Sequence, residues 1–180
     1  MNSTTTQVLW LACAAVLLGV TVWHDAKYQR IPNGAVLAGV VVGLSLSMLP
    51  GGVGIGDSLL GMCLGLAFLL PFYAIGAMGA GDVKLVAAIG AFTGASGVLE
   101  VVLFTLAAGG LMAIAWAAAR GSLRSVLANL HTGLMAAFAR VQTRSLPRAG
   151  DMPVSAKRIP YAIAIAIGMV AYVLLVKRPA

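Results

Sequence analysis

The chain has 180 residues, of which 61% are hydrophobic and only 9% are charged, and its formal net charge is +7. Soluble domains have about 25% charged residues, so this composition excludes an ordinary soluble domain and predicts one compact membrane domain, residues 1–180. The basic residues gather in short segments between apolar runs, which is typical of membrane topology and does not favour a nucleic-acid partner.

Six apolar segments follow one another along the chain, and each is predicted to be a helix because lipid offers the backbone no hydrogen-bond partner. Their approximate ranges are 6–23, 34–49, 56–78, 82–93, 97–119 and 160–176. A full crossing needs about 20 residues, so we expect the fourth segment to be half-length, with its start buried among the other helices. The predicted fold class is an all-α, polytopic membrane protein with about six transmembrane helices.

The Lys and Arg residues predict the orientation of these helices. With the N-terminus outside, ten of the twelve basic residues lie in inner segments, and only Lys177 and Arg178 lie outside. Cytoplasmic loops are enriched in Lys and Arg, so we predict an outer N-terminus. Asp25 and Asp82 then lie at the inner ends of two different helices.

The longest polar stretch covers residues 120–158. Its apolar residues recur at spacings of three and four, which predicts one amphipathic helix with basic side chains around its apolar face. We expect this helix to lie in the cytoplasmic interface of the membrane, and the alternative that it folds over the bundle as a lid stays open. The residues with this spacing are Leu123, Val126, Leu127, Leu130, Leu134, Phe138 and Val141.

Acidic side chains are scarce, with five in the whole chain. A carboxylate at bilayer depth costs at least about 2.5–3.5 kcal/mol, so Asp25 and Asp82 need a partner or a function. Two carboxylates that share one proton can hydrolyse a peptide bond, because the ionised one accepts a proton from water and the protonated one supplies a proton to the leaving amine. Asp57 and Asp151, in contrast, are expected to be solvated.

Glycines flank one of these acids in Gly79-Ala80-Gly81-Asp82. They permit positive φ angles and close approach of another chain, so a peptide could lie directly against Asp82. Lys84 is expected to anchor the inner end of its helix, with a role in tuning Asp82 or holding a substrate carbonyl as the alternative. The two cysteines form no CxxC pair, so no zinc site is expected, and no metal or other cofactor is predicted.

These motifs resemble those of the type IV prepilin peptidases, aspartic proteases of the bacterial inner membrane. The matching elements are Asp25 with Arg30-Ile31-Pro32-Asn33, then Gly79-Ala80-Gly81-Asp82-Val83-Lys84-Leu85, and finally Arg158-Ile159-Pro160-Tyr161 with Gly168. The resemblance implies that Asp25 and Asp82 are catalytic and that the basic leader of pilin-like precursors is cut at the cytoplasmic face. It also places Gly79, Gly81, Lys84, Pro32, Asn33 and Pro160 among the motif residues around the approaching substrate.

Many members of that family carry an N-terminal domain with paired CxxC motifs, which methylates the new N-terminus. This sequence has no such motif, so it resembles the short, peptidase-only type associated with Flp/Tad pili. Two other functions stay open from the residues alone: a small membrane carrier of protons or ions, and a non-catalytic subunit of a pilus-assembly machine. The identity of the precursor and the oligomeric state are not predicted.

Overall fold

The computed structural model describes residues 3–74, 78–119, 121 and 161–177, and the regular structure in these ranges is helical. This confirms the all-α prediction. The predicted amphipathic helix within 120–158 and the motif residue Pro160 lie outside the described residues, Gly121 excepted. The helices are α1 (Ser3–Tyr28), α2 (Asn33–Ser47), α3 (Ile55–Ala74), α4 (Ala80–Ala119) and α5 (Tyr161–Tyr172), and α5 continues as a π-helix over Val173–Lys177.

Three of these helices, α1, α3 and α4, are long and apolar enough to cross a membrane, whereas α2 and α5 are shorter apolar helices. Large apolar side chains are exposed on the outside of the bundle, as Val16 and Leu111 illustrate. A soluble monomer seldom exposes so much apolar surface, so these side chains and the three long apolar helices indicate a membrane protein. The number of crossings stays a prediction.

The end of α1 differs from the predicted position. The apolar run stops near residue 23, but the helix continues to Tyr28, so Asp25 lies in its last turn and not beyond it. Nothing in the sequence between these points breaks a helix. The chain leaves α1 at Gln29, which has a φ of 52°, and the Gln29 N–H donates to the Asp25 carbonyl oxygen at 2.8 Å.

The fourth and fifth predicted segments form the two halves of α4, here named α4a (80–93) and α4b (95–119). Gly94 separates them, with φ 73° and ψ −174°, a combination that is essentially restricted to glycine. Val86 of α4a and Val98 of α4b both lie against Gly65 of α3. The two halves therefore fold back on each other at Gly94.

Side chains from α1 and α3 satisfy the backbone groups at this break. The Trp10 indole N–H donates to the Phe92 carbonyl oxygen at 2.7 Å, and the Ser58 hydroxyl donates to the Ala91 carbonyl oxygen at 2.6 Å. The Ala95 N–H donates to Asp57 Oδ1 at 3.2 Å. The expectation that Asp57 is simply solvated is therefore wrong, because the start of α4b has an orphan N–H that this carboxylate accepts.

Helix α4a lies at the centre of the bundle, and Leu85, Val86 and Phe92 are among its fully or almost fully buried side chains. Its neighbours approach closely because glycine stands at the crossing points, as small residues commonly do in membrane bundles. Gly61 of α3 meets Gly90, and Gly43 of α2 meets Ala91. In the first turn of α4a, Asp82 and Val83 are buried, whereas Ala80 is exposed.

Candidate active site

Asp25 and Asp82 lie at the same end of the bundle, where α1 ends and α4a and α5 begin; we call it the aspartate end. Asp25 is 7% exposed and Asp82 is 9% exposed, so both carboxylates are buried. The opposite end, here called the Gly94 end, contains the helix break and Trp10, over whose ring the Lys177 ammonium lies at 3.4 Å.

The Asp25 carboxylate is held by the start of α5. Its Oδ2 accepts the backbone N–H of Ala162 at 3.1 Å, and this hydrogen bond is buried. The first N–H groups of a helix have no partner within the helix, and the helix dipole favours negative charge at that position. The contact therefore explains how a carboxylate is accommodated between α1 and α5.

The Asp82 carboxylate is held by its own helix start. Its Oδ2 accepts the backbone N–H of Gly79 at 3.0 Å, while the Asp82 N–H donates to the Gly79 carbonyl oxygen at 3.1 Å. An acidic residue three positions after the helix cap commonly reaches back in this way. The glycine-containing motif thus fixes the direction in which Asp82 points.

The two flanking glycines serve close approach and not an unusual backbone conformation, since neither is among the glycines with positive φ. A Cβ on Gly79 would lie 3.2 Å from Asp82 Oδ2. A Cβ on Gly81 would lie 3.0 Å from the Cβ of Ile31, in the segment after α1. At Gly81 the approaching chain is therefore the protein's own α1–α2 connection.

The start of α5 also packs on α4b. Tyr161, the residue before Ala162, places its ring on Gly109 of α4b. Tyr161 and Ala162 thus join the start of α5 to α4b and to Asp25, respectively. Sequence reasoning did not single out Ala162, and it named Tyr161 only as part of the motif match.

The remaining motif residues lie around the start of α2. Lys84 is exposed, and its ammonium donates to Asn33 Oδ1 at 3.3 Å, which ties α4a to the first residue of α2. Pro32 precedes α2, and its carbonyl oxygen accepts the Ala35 N–H at 3.1 Å. These residues hold the α1–α2 connection beside Gly81 and Asp82.

Cysteines and metal ligands add nothing to this site. Within residues 3–74, 78–119, 121 and 161–177, no group of three or more His, Cys, Asp or Glu side chains is placed to hold a metal ion. Cys13 is partly exposed and Cys63 is exposed.

The fold and the site together define a helical membrane protein with two buried carboxylates at one end of its bundle. The model of the type IV leader peptidase family matches residues 11–114, which is more than half of the chain and includes Asp25 and Asp82. The chain therefore belongs to the type IV leader peptidase family, and it is a peptidase by that membership. No curated protein and no solved structure matches it.

Proposed function

We propose that this peptidase is an aspartic endopeptidase that removes the basic leader of pilin-like precursors, with Asp25 and Asp82 as its catalytic residues. The observation that carries the proposal is the arrangement of these two buried carboxylates, each of which accepts a backbone N–H at the same end of the bundle. Burying two carboxylates costs desolvation free energy, and a role in general acid–base catalysis explains why both are present.

The reaction needs one carboxylate in each protonation state. The ionised carboxylate accepts a proton from water as the water oxygen bonds to the scissile carbonyl carbon, and the protonated carboxylate donates its proton to the leaving nitrogen as the C–N bond breaks. The N–H groups of Gly79 and Ala162 orient the two carboxylates before substrate binds.

The proposed location of the site is the cytoplasmic face of the bacterial inner membrane, with the N-terminus outside. Lys27, Arg30 and Lys84 lie close in sequence to the two aspartates, whereas Lys177 lies at the Gly94 end. This distribution favours a cytoplasmic aspartate end. The apolar helix of the precursor would lie in the bilayer beside the enzyme, and its leader would stay in the cytoplasm. We also propose that the precursors belong to Flp/Tad pili.

The test is co-expression of the chain with candidate pilin-like precursors, followed by N-terminal sequencing of the product. We expect cleavage by the wild-type chain and none above background by Asp25→Asn or Asp82→Asn, each made separately. Cleavage by either purified variant at the wild-type rate would contradict the proposal that both aspartates are catalytic. A proton or ion carrier would instead lose flux in these variants, and an assembly subunit would support pilus formation without any cleavage.

A further inference from the structure

One face of α1 is exposed from the middle of the helix to its last turn. Its residues follow one another at spacings of four, three and four, which places them on a single stripe of the helix: Val16, Val20, Trp23 and Lys27. The Val16 side chain is 66% exposed and the Trp23 side chain is 58% exposed, so none of the helices in the described part of the chain covers this stripe. Along it, the side chains change from aliphatic to aromatic to cationic. A helix that leaves the hydrocarbon of a bilayer for the headgroup region shows the same order.

Side-chain contacts organise the aromatic and cationic end of this stripe. The Lys27 ammonium lies 5.0 Å from the centroid of the Trp23 ring and 5.2 Å from the centroid of the Tyr28 ring. The centroid of the His24 ring lies 5.3 Å from that of Trp23 and 5.6 Å from that of Tyr28. Cation–π contacts hold the charge beside the rings. The four side chains, Trp23, His24, Lys27 and Tyr28, therefore form one amphipathic surface cluster, here named the α1 anchor.

Asp25 lies in the same turn of α1 but on the opposite face. It is two residues from Trp23 and two from Lys27, which is about 200° around the helix, and it is buried on the same side as Thr21. Along the helix axis, Asp25 stands between Trp23 and Lys27, about 3 Å from each. A contact that holds these two residues at one depth in the membrane therefore holds Asp25 at that depth as well.

We propose that the α1 anchor is a lipid-binding surface that holds Asp25 at the level of the headgroups. The Trp23 ring lies at the boundary between acyl chains and headgroups, and the Lys27 ammonium contacts headgroup phosphates. Trp and Tyr are favoured at this boundary because each has an apolar ring and one polar group. The lipid contact stands on the geometry of α1, and its effect on cleavage rests on the proposed peptidase function.

Two observations favour lipid over a precursor as the occupant of this face. The exposed Val16 and Val20 continue the stripe towards the middle of α1, so the α1 anchor is the end of a longer apolar surface. Lys27 carries a positive charge, which attracts the phosphates of an anionic membrane surface and repels the basic leader of the proposed substrate.

The first test locates Trp23 by fluorescence in the full chain, reconstituted in vesicles of phosphatidylcholine and phosphatidylglycerol. Lipids brominated near the headgroup or near the end of the acyl chain quench tryptophans that lie at the same depth. The Trp23 signal, taken as the difference between wild type and Trp23→Phe, should be quenched more strongly by the shallow bromine. Stronger quenching by the deep bromine, or quenching by aqueous iodide and by neither lipid, would overturn the proposal.

The matched control is Val16→Trp in the Trp23→Phe chain. Residue 16 lies on the same stripe, about 10 Å further along the helix, and its exposed side chain leaves room for an indole. The added tryptophan should be quenched more strongly by the deep bromine. The same depth preference at both positions would overturn the proposed placement of α1.

The second test removes the charge of the α1 anchor. In Lys27→Leu the contact with headgroup phosphates is lost, so the Trp23 ring should move deeper and its preference for the shallow bromine should fall. Lys27→Arg keeps the charge and should keep the wild-type preference. An unchanged preference in Lys27→Leu, or an equal fall in both variants, would contradict the contact between Lys27 and phosphate.

The third test measures precursor cleavage by the double variant Trp23→Leu/Lys27→Leu. We expect its kcat to fall about 10-fold in vesicles, because a displacement of about 1 Å at a reacting group has effects of this order or larger. In detergent micelles, whose boundary adapts to the protein, kcat should match the wild type. Wild-type kcat in vesicles, or equal losses in both media, would overturn the role in setting the depth of Asp25.

A precursor bound on this face would give a different result. The double variant would then show a raised KM with unchanged kcat, and added precursor would protect Trp23 from the brominated lipids, which would overturn the lipid assignment. A wild-type chain that cuts no precursor would contradict the proposed function, whereas the two fluorescence tests would still decide the lipid contact.

Discussion

Each end of the bundle has a carboxylate that accepts the N–H at the start of a helix. At the Gly94 end, Asp57 binds the Ala95 N–H and works with Trp10 and Ser58 to satisfy the break in α4. At the aspartate end, Asp25 binds the Ala162 N–H, but there a second buried carboxylate, Asp82, belongs to the same site. The contact alone therefore does not distinguish a structural aspartate from a candidate catalytic one.

The difference lies in what surrounds the carboxylate. Asp57 is partly exposed and serves a helix start that would otherwise lack a partner, so its contact accounts for its presence. Asp25 and Asp82 are more deeply buried than Asp57, and both lie at the aspartate end. In the proposed function, these two residues supply the acid and the base.

The largest expected effect is a loss of precursor cleavage when an aspartate is substituted at the aspartate end but not at the Gly94 end. Asp25→Asn should lower precursor cleavage by about 10²- to 10⁴-fold, the range typical of general acid–base catalysis, while its thermal midpoint should not fall because the amide oxygen can still accept the Ala162 N–H. Asp57→Asn is the matched control and should cleave at the wild-type rate per folded molecule. Equal losses of activity in the two variants would contradict a catalytic role for Asp25 and a structural role for Asp57.

The next effect concerns the backbone of the Gly94 end. Gly94→Ala places a Cβ at a φ of 73° and against the Asp57 carboxylate, so we expect it to destabilise the fold by at least about 1–3 kcal/mol. Thermal unfolding in detergent measures the change. Gly110→Ala serves as control, since a Cβ there meets nothing within 4 Å, and a loss of stability in this control as large as in Gly94→Ala would contradict the argument.

A smaller loss of stability is expected when the Asp57 carboxylate at the same helix break is removed. Asp57→Ala leaves the Ala95 N–H without its acceptor, so stability should fall by about 0.5–2 kcal/mol. Cleavage per folded molecule should stay at the wild-type level because the aspartate end keeps its contacts. Denaturation of Asp57→Ala beside the wild type, with activity normalised to folded protein, checks both statements, and a specific loss of kcat would show coupling between the ends.

The smallest effect involves the exposed bond between Lys84 and Asn33. An exposed polar contact of this kind contributes about 0–1 kcal/mol, so Lys84→Met and Asn33→Leu should each change stability only slightly. A double-mutant cycle isolates their coupling. If Lys84 only ties α4a to α2, either change should alter KM less than about twofold, and a large rise in KM for Lys84→Met alone would favour a direct contact with substrate.

Local patterns in the sequence predicted much of the helical architecture. The break between residues 93 and 97 falls at Gly94, because glycine there allows a conformation that other residues avoid. The end of α1 was placed too early, since hydropathy marks where apolar residues stop and the helix continues until Gln29 turns the chain. Hydropathy therefore located the helices well and their ends less well.

The sequence by itself determined a helical membrane protein with scarce acids and a glycine motif beside Asp82, because composition, periodicity and short motifs are local properties of the chain. Only the tertiary structure decided that Asp57 caps a helix start 38 residues away and that Asp25 meets a backbone N–H 137 residues away. Those partners depend on how helices cross, and the crossings are set by packing between glycines and side chains that are distant in sequence.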